Sequence, residues 1–397
     1  MKPIELPEGA KDTLPATCGA KRDIQRMMRD TFASFGYAEV ETPVFEYLDT
    51  FSYGEDSLEP EKTLRFFEAG KKTMVLRPDA TMPIARVAVT KMRLAQKPIR
   101  LCYIEDIYRY EQTRYGVNRR SEQAGAELLG AGSVEADAEI ISLAVESLLA
   151  LGITDFQIDI GQVEFFKGLA EEADIAEEAR YTLGQWIDAK DMGAIDGYLQ
   201  NSVQSEQFQK TLRALPRLYG GSDVLQRAKA LTQYSRCVEA LDSLSELYGI
   251  LKDYGYEDYI AFDLGMVQSL HYYTGMVFRG YVKHHGSVVV KGGRYDHLTR
   301  RYGEEMPATG CAVNIDEVMK RQNNQLVTAD GEGIDVLIVC GGTDRAKGYA
   351  LAKKLRREGK RVEVLLSDCG DPMEYARRKE ISRILRVQDK RVEEIDL

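Results

Sequence analysis

The chain has 397 residues, room at about 150 per domain for two or three domains. With 44% hydrophobic and 29% charged residues it has ordinary globular composition, which excludes a disordered or low-complexity chain. A formal net charge of −10 argues against function through non-specific attraction to nucleic acid or an anionic membrane, while leaving room for a local basic face.

Ile24, Met27, Met28, Phe32 and Phe35 recur at helical spacing and Gly36 closes the run, so 17–36 reads as a helix. A short extended piece ends at Thr42-Pro43, because proline biases the preceding residue out of the α region. Residues 64–77 read as a hairpin turning at Ala69-Gly70-Lys71-Lys72, and 80–95 as a helix. Two strand-like runs, 99–111 and 119–129, flank a polar loop at 112–118. An amphipathic helix at 135–151 and a strand at 155–161 follow. From about 163 to 254 the pattern is helical, with turns at Gly193, Gly197 and Gly220-Gly221 and an N-cap at Ser222 or Asp223. Strands return at 259–264, 275–282 and 286–290, then a turn at Gly292-Gly293, a helix, and a strand near 309–314. The polar run 323–333 reads as a linker. Beyond it IDVLIVC, a Gly341-Gly342 turn, a helix at 344–358 and RVEVLL open a compact α/β unit. Residues 331–397 hold 15 basic and 13 acidic residues against 38 and 50 in the first 330, so the acidity belongs to the larger module. The Gly341-Gly342-Thr343-Asp344 turn has the form of a phosphate cradle, but a lone glycine pair more often marks a tight turn capped by Thr343 or Asp344.

Cys18, Cys102, Cys237, Cys311, Cys340 and Cys369 lie far apart with no CxxC pair, which reads as reduced thiols rather than a disulfide framework or zinc site. The opening MKPIELPEGAKDTLP has no apolar core, and no later run approaches the roughly 18 apolar residues of a membrane span. A soluble, cytoplasmic protein is expected. All four histidines (His271, His284, His285, His297) fall in one window, and GxSxG, HExxH, GxGxxG and GxxxxGK[ST] are absent. His284-His285 reads as a hairpin turn, and nothing pairs the histidines as metal ligands.

The informative region is the strand pair around 112–118. Alternation puts Arg109 and Glu111 on one face, and Arg119, Ser121, Gln123, Gly125, Glu127 and Leu129 on one face of the return strand. If these faces coincide, Arg109, Gln123 and Glu127 rise from one floor, and Gly125 leaves a gap for a ligand. Cys102, Ile104, Tyr108, Ala124, Ala126 and Leu128 form the packing face. Mixed charges around a glycine gap suit a zwitterion, since Arg forks onto a carboxylate and Asp or Glu accepts from an ammonium or imidazole. The same pattern also fits a solvated face with cross-strand ion pairs.

FGYAEVETPVFE, LRPDAT and IYRYEQTRYGVNRRSEQAGAE resemble motifs 1 and 2 of class II aminoacyl-tRNA synthetases. LHYYTGMVF and KGGRYD resemble the two histidine signatures of histidyl-tRNA synthetases, and LPEGAKDTLP also matches that family. The resemblance spans nearly the whole chain with the motifs in order. It implies an α+β fold: a class II synthetase-like antiparallel sheet flanked by helices, with a helical insertion at about 163–254 inside a 1–322 core. Residues 331–397 look like a shortened anticodon-binding domain. The histidine pocket carried over consists of Asp79, Thr81, Arg109, Gln123, Glu127, Tyr272 and Tyr273, with Asp79 where synthetases usually have Glu.

The ATP machinery departs from the synthetase pattern. The arginine of the second histidine signature corresponds to Gln268, and the motif 3 arginine to Glu317 in GCAVNIDEVM. A register slip would instead offer Arg300, Arg301 or Lys320. Each lost cation at a transition-state charge typically costs about 10²–10³ in rate. Ser121 stands where an aromatic residue would stack on adenine. A retained amino-acid pocket beside a dismantled ATP site resembles the synthetase-like regulatory subunits of ATP phosphoribosyltransferase, the first enzyme of histidine biosynthesis. HYYTGMVF and LRPDAT fit that branch better than the synthetases, although the branch often keeps Arg at the Gln268 position. The resemblance implies a non-catalytic histidine sensor without cofactor or metal. Its partner would be the short-form catalytic subunit, within a hetero-oligomer such as a hetero-octamer, and a homodimer would form through residues near 32–48. An active histidyl-tRNA synthetase, or a regulator of another partner, are the alternatives. The basic run Lys353, Lys354, Arg356, Arg357, Lys360 and Arg361 reads as a solvated face, so tRNA binding is not expected.

Overall fold

The structure is a computed structural model that describes residues 5–51, 62–67, 72–110, 119–201, 204–267, 272–284, 286–322, 333–366, 370–389 and 391–397. The chain divides into two compact units, residues 1–13 with 21–323, and residues 14–20 with 324–397.

Helix α1 (Pro15–Ser34) buries Ile24, Met28 and Phe32, one stripe at helical spacing. Strands β1 (Ala38–Glu39), β2 (Phe45–Tyr47), β3 (Arg65–Phe66) and β4 (Met74–Leu76) precede α2 (Thr81–Thr90). This helix is shorter than the 80–95 that the sequence suggests. The long pair β5 (Ile99–Tyr108) and β6 (Arg120–Leu129) leads to α3 (Val134–Ala150) and β7 (Phe156–Gln162). The helical stretch then comprises α4 (Val163–Glu172), α5 (Glu177–Asp188), α6 (Met192–Gln200), α7 (Glu206–Ala214), β8 (Tyr219–Gly220), α8 (Asp223–Lys229) and α9 (Ser235–Asp253). Gly220 therefore sits in a strand, where β8 pairs with β9 (Ile260–Asp263), rather than in a simple turn. Strands β10 (Met276–Val282), β11 (Val288–Arg294) and β12 (Ala308–Asn314) and helix α10 (Ile315–Gln322) complete the larger unit.

Nine strands form one sheet in the order β1-β5-β6-β12-β11-β10-β7-β9-β8. It is antiparallel except for the β1·β5 and β7·β9 pairs. Strands β2, β4 and β3 make a separate small sheet. One face of the large sheet presents Cys102, Ala124, Ala126, Leu128, Ile160 and Phe278 to α1, α3, α4 and α9. The other presents Leu101, Tyr103, Ile107 and Val277 to α2, which is buried on most of its surface.

The expected turn at Gly292-Gly293 is a correction. Both residues lie inside β11, opposite Phe278 and Val277 on β10. A Cβ at Gly292 would overlap Gly310 O, and one at Gly293 would lie 2.7 Å from Met276 O and 2.9 Å from the Tyr273 ring. These glycines serve close approach to neighbouring groups, not a reversal of the chain.

A buried ion pair ties the Thr42-Pro43 segment to the sheet. Arg77 pairs with Glu105 at 3.0 Å, with side chains 3% and 4% exposed. It also donates to the carbonyls of Thr42, Pro43 and Asp106, and Glu105 accepts from Thr42 N and Oγ1. Burial pushes the Glu105 carboxyl upward, opposed by Thr42 and Arg77.

The second unit carries β13 (Val336–Cys340), α11 (Arg345–Arg357), β14 (Val362–Val364), α12 (Pro372–Arg378), β15 (Arg383–Gln388) and β16 (Arg391–Asp396), with sheet order β14-β13-β15-β16. Val336 and Ile338 face one small core, Leu337 and Ile384 the other, as expected for a sheet covered on both sides. Asp344 stands at the N-cap of α11 without a side-chain capping bond, and its Oδ2 accepts from Asp389 N at 2.9 Å. The turn is tight, as expected, but its carboxylate ties down the β15–β16 turn. Among the described residues no helix is long and apolar enough to cross a membrane.

Candidate ligand site

The β5–β6 register pairs Leu101 with Glu127, Tyr103 with Gly125, Glu105 with Gln123 and Ile107 with Ser121. The faces of the two strands therefore coincide as their alternation requires, and Arg109, just past β5, has the same parity. The gap at Gly125 is a correction. A Cβ there would overlap the ring and hydroxyl of Tyr103, so the space is filled by the protein's own tyrosine.

Glu127 is the deepest polar group of this face, 2% exposed. One oxygen accepts from Thr81 Oγ1 at 2.7 Å and the other from the Tyr295 hydroxyl. Gly310, opposite it on β12, is the wall against which the carboxyl lies, since a Cβ there would overlap Glu127 Oε2. Burial pushes this carboxyl up to about 8, with the Tyr295 and Thr81 bonds opposing and the Asp79 charge adding to the rise. Asp79 Oδ1 accepts from Met82 N at 3.2 Å in the first turn of α2, and Oδ2 lies 3.5 Å from Arg109 Nη2. Arg109 Nε donates to Pro78 O at 2.8 Å, which orients the guanidinium. Tyr272 and Tyr273 pack 4.8 Å apart between centroids, and Tyr272 meets Tyr295 edge-on at 5.9 Å. Burial raises both hydroxyls, so they stay neutral donors.

A cavity of about 220 Å³ opens beside this cluster, lined by Arg109, Arg119, Ser121, Gln123, Lys291 and Asn314 among others. The structure thus brings Asp79, Thr81, Glu127, Tyr272 and Tyr273 into one buried cluster, with Arg109 linking it to the cavity that holds Gln123. Chemically, the cluster offers acceptors and hydroxyls, and the cavity offers cations and amides.

The three positions read as a lost ATP site fall out as follows. Ser121 Oγ lies 3.3 Å from Asn314 Oδ1, which also accepts from Glu317 N at 3.2 Å. Asn314 thereby caps α10, and Glu317, in its first turn, pairs with Lys320. An acidic residue suits a helix N-terminus through the macrodipole. Gln268 lies outside the described residues, as do His271, His285 and Glu111.

Tyr103, Lys291, Tyr295 and Asn314 were missed from the sequence. Lys291, Gly293 and Tyr295 share one parity in KGGRYD, so continuing β11 through the glycine pair would have put Lys291 and Tyr295 on the face that carries Glu127 and Gln123.

Residues 9–318 match the family model described as histidyl-tRNA synthetase. The chain is 38% identical over 388 residues to an ATP phosphoribosyltransferase regulatory subunit of Acetivibrio thermocellus, covering 97% of this chain and 93% of that protein. It is 41% identical over 363 residues to the protein of that name from a Thermoanaerobacter species, covering 91% and 94%. A crystal structure described as an ATP phosphoribosyltransferase regulatory subunit/histidyl-tRNA synthetase from Bacillus halodurans is similar at a TM-score of 0.86 and 30% identity, covering 97% of this chain and 99% of that one.

Proposed function

Because the chain belongs to the family of ATP phosphoribosyltransferase regulatory subunits, which share the fold of histidyl-tRNA synthetase, we propose that it is a non-catalytic histidine sensor supporting a short-form catalytic subunit at the first step of histidine biosynthesis. The observation that carries the histidine reading is the buried Glu127 carboxyl, held by Thr81 and Tyr295 beside Asp79, which pairs with Arg109 on the wall of the adjoining cavity. Such a site pairs an acceptor for an ammonium or imidazole N–H with a fork for a carboxylate. The acidic start of α10, where a synthetase carries its motif 3 arginine, supports loss of amino-acid activation.

Regulation requires histidine to bind one state of the assembly better than another, by roughly 1–3 kcal/mol for a 5–150-fold effect. Homodimerisation through residues near 32–48 is supported by the exposed Val44, Phe45 and Tyr47 at the small sheet, an apolar patch of the kind that marks protein contacts. The domain reading, a histidine-binding core to 322 and an anticodon-binding-like unit from 331, belongs to the same proposal. The test is calorimetry with L-histidine followed by ATP and Mg²⁺. Saturable heat from histidine, with no ATP heat and no pyrophosphate, is expected. Pyrophosphate release would make the chain a synthetase, and silence with histidine, alone and with the catalytic subunit, would remove the sensor.

A further inference from the structure

Lys291 is set into the ligand face in an unfavourable way. On β11 it stands directly opposite Arg279 of β10 on one side and Ala312 of β12 on the other, and Gly125 follows in the same row. Like charges opposed across strands are destabilising. Lys291 is partly buried and lines the cavity that holds Arg109, Gln123 and Asn314. Arg109 is 3.5 Å from Asp79, and Arg279 is 3.5 Å from Asp188. Among the described residues no carboxylate forms an ion pair with Lys291. The Arg109 charge, with burial and the Arg279 charge, pulls its ammonium down to about 8 against the opposing charge of Asp79. A cation that faces Arg279, shares a cavity with Arg109 and has only Ala312 beside it on that cavity's wall has the surroundings of an anion site.

We propose that Lys291 provides, with Arg109, the two-cation clamp for the α-carboxylate of the bound amino acid. The inference rests on the histidine-binding reading above. Glu127 lies two residues beyond Gly125 on the same strand face, so its row and the Lys291 row are about 7 Å apart along the strand. That separation places a cation-seeking carboxyl and an anion-seeking ammonium at the two ends of one small zwitterion.

The experiment is calorimetric titration of wild type and Lys291→Met with L-histidine and with L-histidinol, which keeps the amine and imidazole but carries a hydroxymethyl group in place of the carboxylate. At about pH 7 the substitution is expected to weaken L-histidine by roughly 10- to 100-fold, the range of a charge-assisted bond, and to leave L-histidinol unchanged. At about pH 9.5, where Lys291 is largely neutral, the gap between wild type and variant for L-histidine closes. Ligand-free Lys291→Met is expected to unfold at or above the wild-type midpoint, because a repulsion has been removed. Equal weakening of both ligands, or none, with wild type still binding L-histidine, overturns the role of Lys291 alone. Wild type binding neither ligand overturns the histidine reading and this inference together.

Discussion

Glu127→Gln separates the part the buried carboxyl plays in folding from the ligand recognition proposed for it. In the folded protein burial raises this group from 4.5 to about 8. Between those values the folded protein keeps a proton that the unfolded chain releases, so wild-type stability falls as pH rises through the window and levels off above about 8. Each unit is worth about 1.4 kcal/mol, which makes the whole span on the order of a few kcal/mol. Glutamine is neutral throughout. Its carbonyl can accept from Tyr295 and its amide donate to Thr81, so no buried polar atom is orphaned. Urea unfolding of both proteins from about pH 5 to about pH 9 is expected to show near-equal stability at the acid end. The variant should become the more stable by a few kcal/mol at pH 8. L-Histidine binding should meanwhile be lost, because an amide cannot give up a proton to become the charged acceptor that a bound ammonium or imidazole draws from the carboxyl. A variant that is less stable than wild type at pH 8 would mean that the two hydroxyls hold Glu127 ionised, and the reasoning from burial would fail.

Two further outcomes test the scaffold. Arg77→Met leaves Glu105 buried beside only the Thr42 donors, an uncompensated charge expected to cost about 3–5 kcal/mol in urea unfolding. That loss should deepen as pH rises, since the Glu105 carboxyl moves further above its unfolded value; a cost below about 1 kcal/mol would show that the pair is dispensable. Gly310→Ala drives a methyl group into Glu127 Oε2 and to 2.8 Å from Ala126 O, so the midpoint should drop by an amount equivalent to about 1–3 kcal/mol or more. In Glu127→Ala the carboxyl is absent and the same alanine at 310 should cost much less, a coupling measurable as a double-mutant cycle.

Local sequence determined the period of each long element. The 3.6-residue spacing in α1 and α3 and the two-residue alternation in β5 and β6 separate the packing face from the opposite, charge-bearing face. Arg109, Gln123 and Glu127 were legible for that reason, and Asp79, Thr81, Tyr272 and Tyr273 came through ordered motifs. Tertiary structure alone decided what occupies the space between them. A glycine in a strand reads the same whether it admits a ligand, a tyrosine or a carboxyl, and only the facing strands show that Gly125 admits Tyr103, Gly310 admits Glu127 and Gly292-Gly293 prolong β11 instead of turning it. The partners of a cation are equally non-local. Lys291 and Arg279 are twelve positions apart in the chain yet face each other across β10 and β11. Arg109, just past the end of β5, lines the same cavity as Lys291 on β11, although β6 and β12 lie between their strands. Spacing along the chain encodes which way a side chain points, whereas charge environment and free volume depend on strands that the chain brings together only after folding.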